Sequence, residues 1–103
     1  MPSVAPIPDL ILYTRAGCGL CEEAREAIRL VVDDRQARGL AVPQILEIDI
    51  DADPALERTL FDRIPVVQLG ERRVELVVTV GKLRRLLNEV VGDEPAAVAS
   101  EWS

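Results

Sequence analysis

Residues 10–31 read LILYTRAGCGLCEEAREAIRLV, and this stretch decides the fold. Leu10-Ile11-Leu12-Tyr13-Thr14 is a short apolar run with β-branched and aromatic members. It is bounded by Pro8-Asp9 before and Ala16-Gly17 after, which reads as a buried strand. From the second cysteine onward the period changes. Leu20, Ala24, Ala27, Ile28 and Val31 recur at helical spacing, while Glu22, Glu23, Arg25, Glu26 and Arg29 fall mostly outside that stripe. Glu22 and Glu23 stand in the first turn, where the helix dipole favours acids, and Gly39 is the expected stop. Between strand and helix lies Cys18-Gly19-Leu20-Cys21.

Outward from this unit the elements alternate. Residues 44–50 read as a second strand, with Leu46, Ile48 and Ile50 alternating against Glu47 and Asp49. Asp53-Pro54 supplies an N-cap and a proline at the first helical position, and Leu56 and Leu60 lie one turn apart on a short helix. Pro65, after Ile64, opens a strand over 66–69, the place where a strand tolerates proline. Gly70-Glu71 suits a two-residue II′ turn, and 72–78 return as the partner strand. Thr79 caps a last helix whose Val80, Leu83, Leu86, Leu87 and Val90 form the apolar face, and Gly92 ends it. The expected order is β-α-β-α-β-β-α. The first β-α-β unit implies a parallel pair with a right-handed crossover, and the final hairpin makes the sheet mixed. Four strands with helices on both faces give a three-layer α/β domain over 9–91. Residues 1–8, with three prolines, read as a loose lead-in, and 92–103, with Trp102, as a tail.

Composition narrows the function. The chain has 103 residues and 49% hydrophobic content, the scale of one domain with a modest core. Aromatics are only Tyr13, Phe61 and Trp102, too few for a base-stacking platform, and the net charge of −6 repels a phosphate backbone. Nucleic acid is therefore not an expected partner. Acids dominate 47–62 and bases 63–85. The plain reading is a set of solvated faces; the sharper one is a basic flank that steers an acidic partner or an anionic thiol such as glutathione. No apolar run reaches the ~20 residues of a membrane span and no secretory signal is visible, so a monomer in the cytoplasm is expected. There thiols are kept reduced, and a close cysteine pair is catalytic or metal-binding more often than structural.

A C-x-x-C that follows a strand and opens a helix within a β-α-β unit is the pattern of a redox dithiol. Two intervening residues bring the sulfurs within disulfide reach. The unpaired N–H groups at a helix start favour a thiolate on Cys18, the species that attacks disulfides. Cys21, one turn inside, is shielded and fits a resolving role. Arg15, in the preceding loop, adds a positive charge that Glu22 and Glu23 oppose. Two other readings stand beside this one. The cysteines can be structural, or they can bind metal. Zinc wants four ligands, and two cysteines with no histidine could hold a metal or an iron–sulfur cluster only between two chains or with thiols from outside. That second reading makes the chain a binding module, not an enzyme.

The segment Arg15-Ala16-Gly17-Cys18-Gly19-Leu20-Cys21-Glu22, after the strand at 10–14, resembles the glutaredoxin-like branch of the thioredoxin superfamily. Ile48-Asp49-Ile50-Asp51 with Pro54 and Leu56 resembles that family's second strand and next helix, and Arg63-Ile64-Pro65-Val66-Val67 its cis-proline segment. The resemblance implies a thioredoxin-like fold and a thiol–disulfide oxidoreductase with no bound cofactor. It makes Cys18 the attacking and Cys21 the resolving cysteine. Pro65 becomes a cis-proline facing the dithiol, and Ile64 the residue whose backbone pairs with substrate. The implied substrates are protein or glutathione mixed disulfides. The chain departs from the family at several places. Gly17 and Leu20 replace the tryptophan and proline of Trp-Cys-Gly-Pro-Cys. Val80-Gly81-Lys82 stands where glutaredoxins carry the Gly-Gly-x-Asp that holds glutathione. Arg15 matches their usual lysine.

Overall fold

The computed structural model describes residues 7–93. Its elements are β1 (Leu10–Thr14), α1 (Gly19–Ala37), β2 (Ile45–Asp49), a 3-10 turn (Ile50–Ala52), α2 (Pro54–Leu60), β3 (Val66–Leu69), β4 (Arg72–Glu75) and α3 (Val80–Val90). This is the expected order. The sheet runs β2-β1-β3-β4, with β1 and β2 parallel and both other pairs antiparallel.

Alternation along β1 sets the layers. Leu10, Leu12 and Thr14 are buried, while Ile11 and Tyr13 are half-buried on the opposite face. The first face, extended by Val67 and Leu69, packs on Ala24, Ala27, Ile28 and Val31 of α1 and on Leu83, Leu86 and Leu87 of α3. On the other face Tyr13, Leu56 and Ile64 pack around the buried Ile50, Leu60 and Val66. Two helices thus cover one face and one covers the other. The caps fall where the sequence puts them. Asp53 accepts from the Ala55 N–H and Thr79 from the Lys82 N–H. Gly70, at φ +61°, opens the β3–β4 turn. No helix among the described residues is long and apolar enough to cross a membrane.

Several boundaries move. Helix α1 begins at Gly19, two residues before the second cysteine, with Cys18 as its N-cap. Leu20 consequently sits in the overhanging first turn and is exposed; the buried stripe is Cys21, Ala24, Ala27, Ile28, Val31 and Arg35. The 44–50 strand shortens, because Ile50 turns into the 3-10 segment and is buried there. Leu46 does not reach the core: β2 is an edge strand with a neighbour on one side only, and both Ile45 and Leu46 stay exposed. Strand β4 stops at Glu75 instead of 78, because Leu76 takes φ +68° and leaves the extended region.

Arg35 continues the apolar stripe of α1 and is buried there. Its Nε donates to the Ala41 carbonyl at 2.8 Å and its Nη2 to the Gly92 carbonyl at 2.7 Å, with Nη1 at 3.5 Å from Asn88 Oδ1. The side chain fastens the C-terminal ends of α1 and α3 together. The α1 end itself closes on Gly39 at φ +74°, with the Leu40 N–H reaching the Arg35 carbonyl and the Gly39 N–H that of Gln36, the paired bonds of a Schellman stop. Gly39 is legible in the sequence as a helix stop, whereas nothing local marks Arg35 as buried.

Candidate active site

The dithiol is built by the exit from β1. Gly17 adopts φ +76°, and a β-carbon there would meet nothing within 4 Å. The position thus needs glycine for its backbone rather than for space. The left-handed turn delivers Cys18 in extended geometry at the helix start, φ −95° and ψ 110°. Its Sγ accepts the Cys21 N–H at 3.1 Å, while its carbonyl takes the Glu22 N–H as the first helical bond. Sulfur here does what serine or aspartate oxygen does at ordinary helix starts. The two sulfurs stand at disulfide-bonding distance, with Cα atoms 5.2 Å apart. Cys18 is half-buried and Cys21 is 1% exposed. Around Gly19 the space is open, and Leu20 is exposed. The Gly19–Leu20 side of the first turn therefore faces solvent, and a partner can reach Cys18 but not Cys21.

The sheet register brings a second loop to this end. Tyr13 pairs with Val66 in antiparallel β1 and β3, so the chain enters β3 beside the point where it leaves β1 toward Cys18. The entry is Ile64-Pro65, a cis peptide, with Pro65 fully buried and Ile64 half-buried. Val66 pairs in turn with Glu75, which adds the segment after β4. Leu76 donates its N–H to the carbonyls of Pro65 at 2.9 Å and Arg63 at 3.2 Å; neither bond uses Ile64. Leu76 and Val77 are exposed. A leucine at positive φ is uncommon and strained, and here it fastens the proline loop. The local pattern alone runs the strand through Leu76, since no glycine or asparagine marks the position.

Charged groups at this end are largely paired. Arg15 donates from Nε and Nη2 to Asp51, at 3.0 and 2.7 Å, and from Nη2 to Glu57 at 3.0 Å. These bonds raise the guanidinium further above its ordinary value, and Arg15 holds the Asp51 carboxyl below the usual carboxylate range. Arg25 does the same for Glu47 across α1 and β2. Lys82 sits in the first turn of α3 with its ammonium on the Val77 carbonyl at 2.9 Å. Part of the basic run at 63–85 is also engaged: Arg63 and Arg73 reach Glu75, and Arg72 reaches Glu89.

A strand, a left-handed glycine, an N-capping cysteine and a buried cysteine one turn on, beside a cis X–Pro entry to the next strand, make one constellation. Comparisons with known proteins give the family and the fold. The family model "Glutaredoxin-like domain (DUF836)" matches residues 9–89. The chain belongs to that family. Among solved structures, a structural-genomics target protein from X. campestris is 33% identical, with 78% of this chain and 96% of that chain covered and a TM-score of 0.60. A protein from Nitrosomonas europaea is 27% identical over 89% of this chain and 95% of that chain, with a TM-score of 0.55. Chloroplastic thioredoxin z, at 16% identity, covers 79% of this chain and 75% of its own with a TM-score of 0.55; that likeness concerns the fold. No curated protein matches the chain. The glutaredoxin-like domain has a thioredoxin-like fold, and its Cys18–Cys21 pair fits redox function. Among the described residues no group of three His, Cys, Asp or Glu side chains gathers as a metal site.

Proposed function

We propose that this glutaredoxin-like domain is a thiol–disulfide oxidoreductase in which Cys18 is the nucleophile and Cys21 the resolving thiol. One observation carries the reading: the accessible sulfur is also the helix N-cap. When the pair is reduced, the Cys21 N–H and the helix end face the Cys18 sulfur, an environment that favours the thiolate over the thiol. In the reaction the Cys18 thiolate attacks a substrate disulfide. The substrate S–S bond breaks, a Cys18 mixed disulfide forms, and the departing thiolate takes a proton from solvent. Cys21, deprotonated, then attacks Cys18 Sγ. The substrate's second sulfur leaves as a thiol, and the Cys18–Cys21 disulfide remains. Two electrons and two protons have passed to the substrate, and external thiols restore the dithiol.

Ile64 and Pro65 form the loop that pairs with an extended substrate segment, its backbone offered at Ile64. Arg15 lies beside this path. The substrates are protein disulfides or glutathione mixed disulfides, the chain acts as a monomer, and the compartment is a reducing, cytoplasmic one. The test is trapping. With Cys21→Ser, a mixed disulfide on Cys18 cannot be resolved, and captured proteins should be released by dithiothreitol. If the wild-type dithiol neither reduces a disulfide nor forms an adduct in this variant, the oxidoreductase reading fails.

A further inference from the structure

Arg15, Asp51 and Glu57 come from three separate places: the loop after β1, the 3-10 turn after β2, and α2. Strands β1 and β2 are parallel, so both loops leave the sheet at the end that carries Cys18. One guanidinium here faces two carboxylates. Asp51 takes Nε and one N–H of Nη2, and Glu57 takes the other bond from Nη2. The cluster therefore carries one net negative charge at neutral pH. Glu22, in the first turn of α1, and Glu23, just after it, add two more. Of the other cations, Arg63 lies toward Glu75, and Lys82, held on the Val77 carbonyl, keeps its positive charge on the Pro65 side of the site. An anionic disulfide approaching Cys18 has to displace a two-point carboxylate–guanidinium pair or accept the residual repulsion.

Resting on the oxidoreductase reading, we propose that Asp51 and Glu57 are specificity-determining residues: by occupying Arg15 they turn its side of the approach to Cys18 negative and direct the dithiol to disulfides flanked by basic residues, away from small anionic disulfides. The groups are one-third to one-half exposed, so salt screens them, and the preference belongs to the rate of encounter. The substrate class this selects is a protein or peptide disulfide with lysine or arginine beside its cysteines.

The probes are cystamine disulfide, which carries two ammonium groups, bis(2-hydroxyethyl) disulfide, which is neutral, and oxidised glutathione, which is anionic. Each is reduced by the full chain with its dithiol reduced beforehand. Rates with the charged probes are divided by the rate with the neutral probe, and the same ratios with dithiothreitol correct for intrinsic reactivity. The wild-type chain should favour cystamine over oxidised glutathione by about tenfold at low salt, a preference that shrinks as salt rises. The double variant Asp51→Asn/Glu57→Gln should lose that preference or reverse it. Arg15→Gln, which leaves both acids uncompensated, should strengthen it. Opposite shifts in the two variants separate a charge effect from a general disturbance of the loop, which would move both alike. An unchanged ratio in both variants, or shifts of the same sign, overturns the proposal while leaving the oxidoreductase reading intact. Failure of the wild-type chain to reduce even the neutral disulfide overturns both.

Discussion

Helix α1 solves the same problem at its two ends by opposite means. Every helix leaves backbone N–H groups unpaired at its start and carbonyls unpaired at its finish. At the start, the Cys18 sulfur takes the Cys21 N–H from a half-exposed position, next to open space around Gly19. At the finish, the Gly39 stop pairs the last carbonyls, and buried Arg35 clamps the loop beyond it to the end of α3. A sulfur can lose its proton and exchange its covalent partner. A guanidinium held on carbonyls can do neither. The difference teaches how a small domain keeps one end of an element chemically free: it fixes the other end with a group whose charge does not change.

The largest effect expected from breaking this contrast is kinetic. Cys18→Ser should lower disulfide reduction by more than about 10³-fold, because no nucleophile remains. Serine is itself a good N-cap, so thermal unfolding of the reduced chain should shift by no more than about 0.5 kcal/mol equivalent. A large loss of stability would mean that the sulfur holds the helix start in a way the hydroxyl cannot.

At the other end the effect should fall on stability alone. Arg35→Met keeps the bulk of the stem but leaves the Ala41 and Gly92 carbonyls without their donor. The expected cost is about 2–4 kcal/mol, read from denaturant unfolding. Arg35→Lys should recover only part of it, since one ammonium lacks the planar reach to serve both the Ala41 carbonyl after α1 and the Gly92 carbonyl after α3. Cys18 chemistry, measured at a temperature where the variant is folded, should be unaltered; slower exchange would tie the clamp to the dithiol and erase the contrast.

A smaller effect compares the two cysteines directly. Brief alkylation of the reduced protein at neutral pH should label Cys18 at least about tenfold faster than Cys21, which is shielded one turn inside the helix. Preferential labelling of Cys21, seen by peptide mass spectrometry, reverses the assigned roles.

The smallest concerns the Arg15–Asp51 pair. In the folded chain the Asp51 carboxyl lies below its ordinary range because Arg15 hydrogen-bonds it. The unfolded chain thus binds a proton there before the folded chain does. Stability from the pair is present above the ordinary carboxylate range and is lost as pH falls through the depressed value. Unfolding curves of wild type and Asp51→Asn should therefore differ at neutral pH and converge in strong acid. Curves that stay equally apart at every pH would show that the pair adds no pH-dependent stability.

The sequence alone determined the order of elements, the mixed sheet with helices on both faces, the caps at Asp53 and Thr79, and the dithiol at a helix start. All of these rest on signals within a few residues: a period of two or 3.6, a proline or glycine at a fixed φ, two cysteines one turn apart. The boundaries that moved did so where tertiary position overruled the local pattern. Leu46 alternates like a core residue but lies on an edge strand, and Leu20 has helical spacing but overhangs the sheet. Only the folded chain decided that Arg15 meets Asp51, 36 residues away, and Glu57, 42 away. It decided too that Arg35 is buried as a clamp and that Leu76 bends to hold the proline loop. Such pairings depend on strand register and helix placement, and a charge in a sequence carries its sign but not the address of its partner.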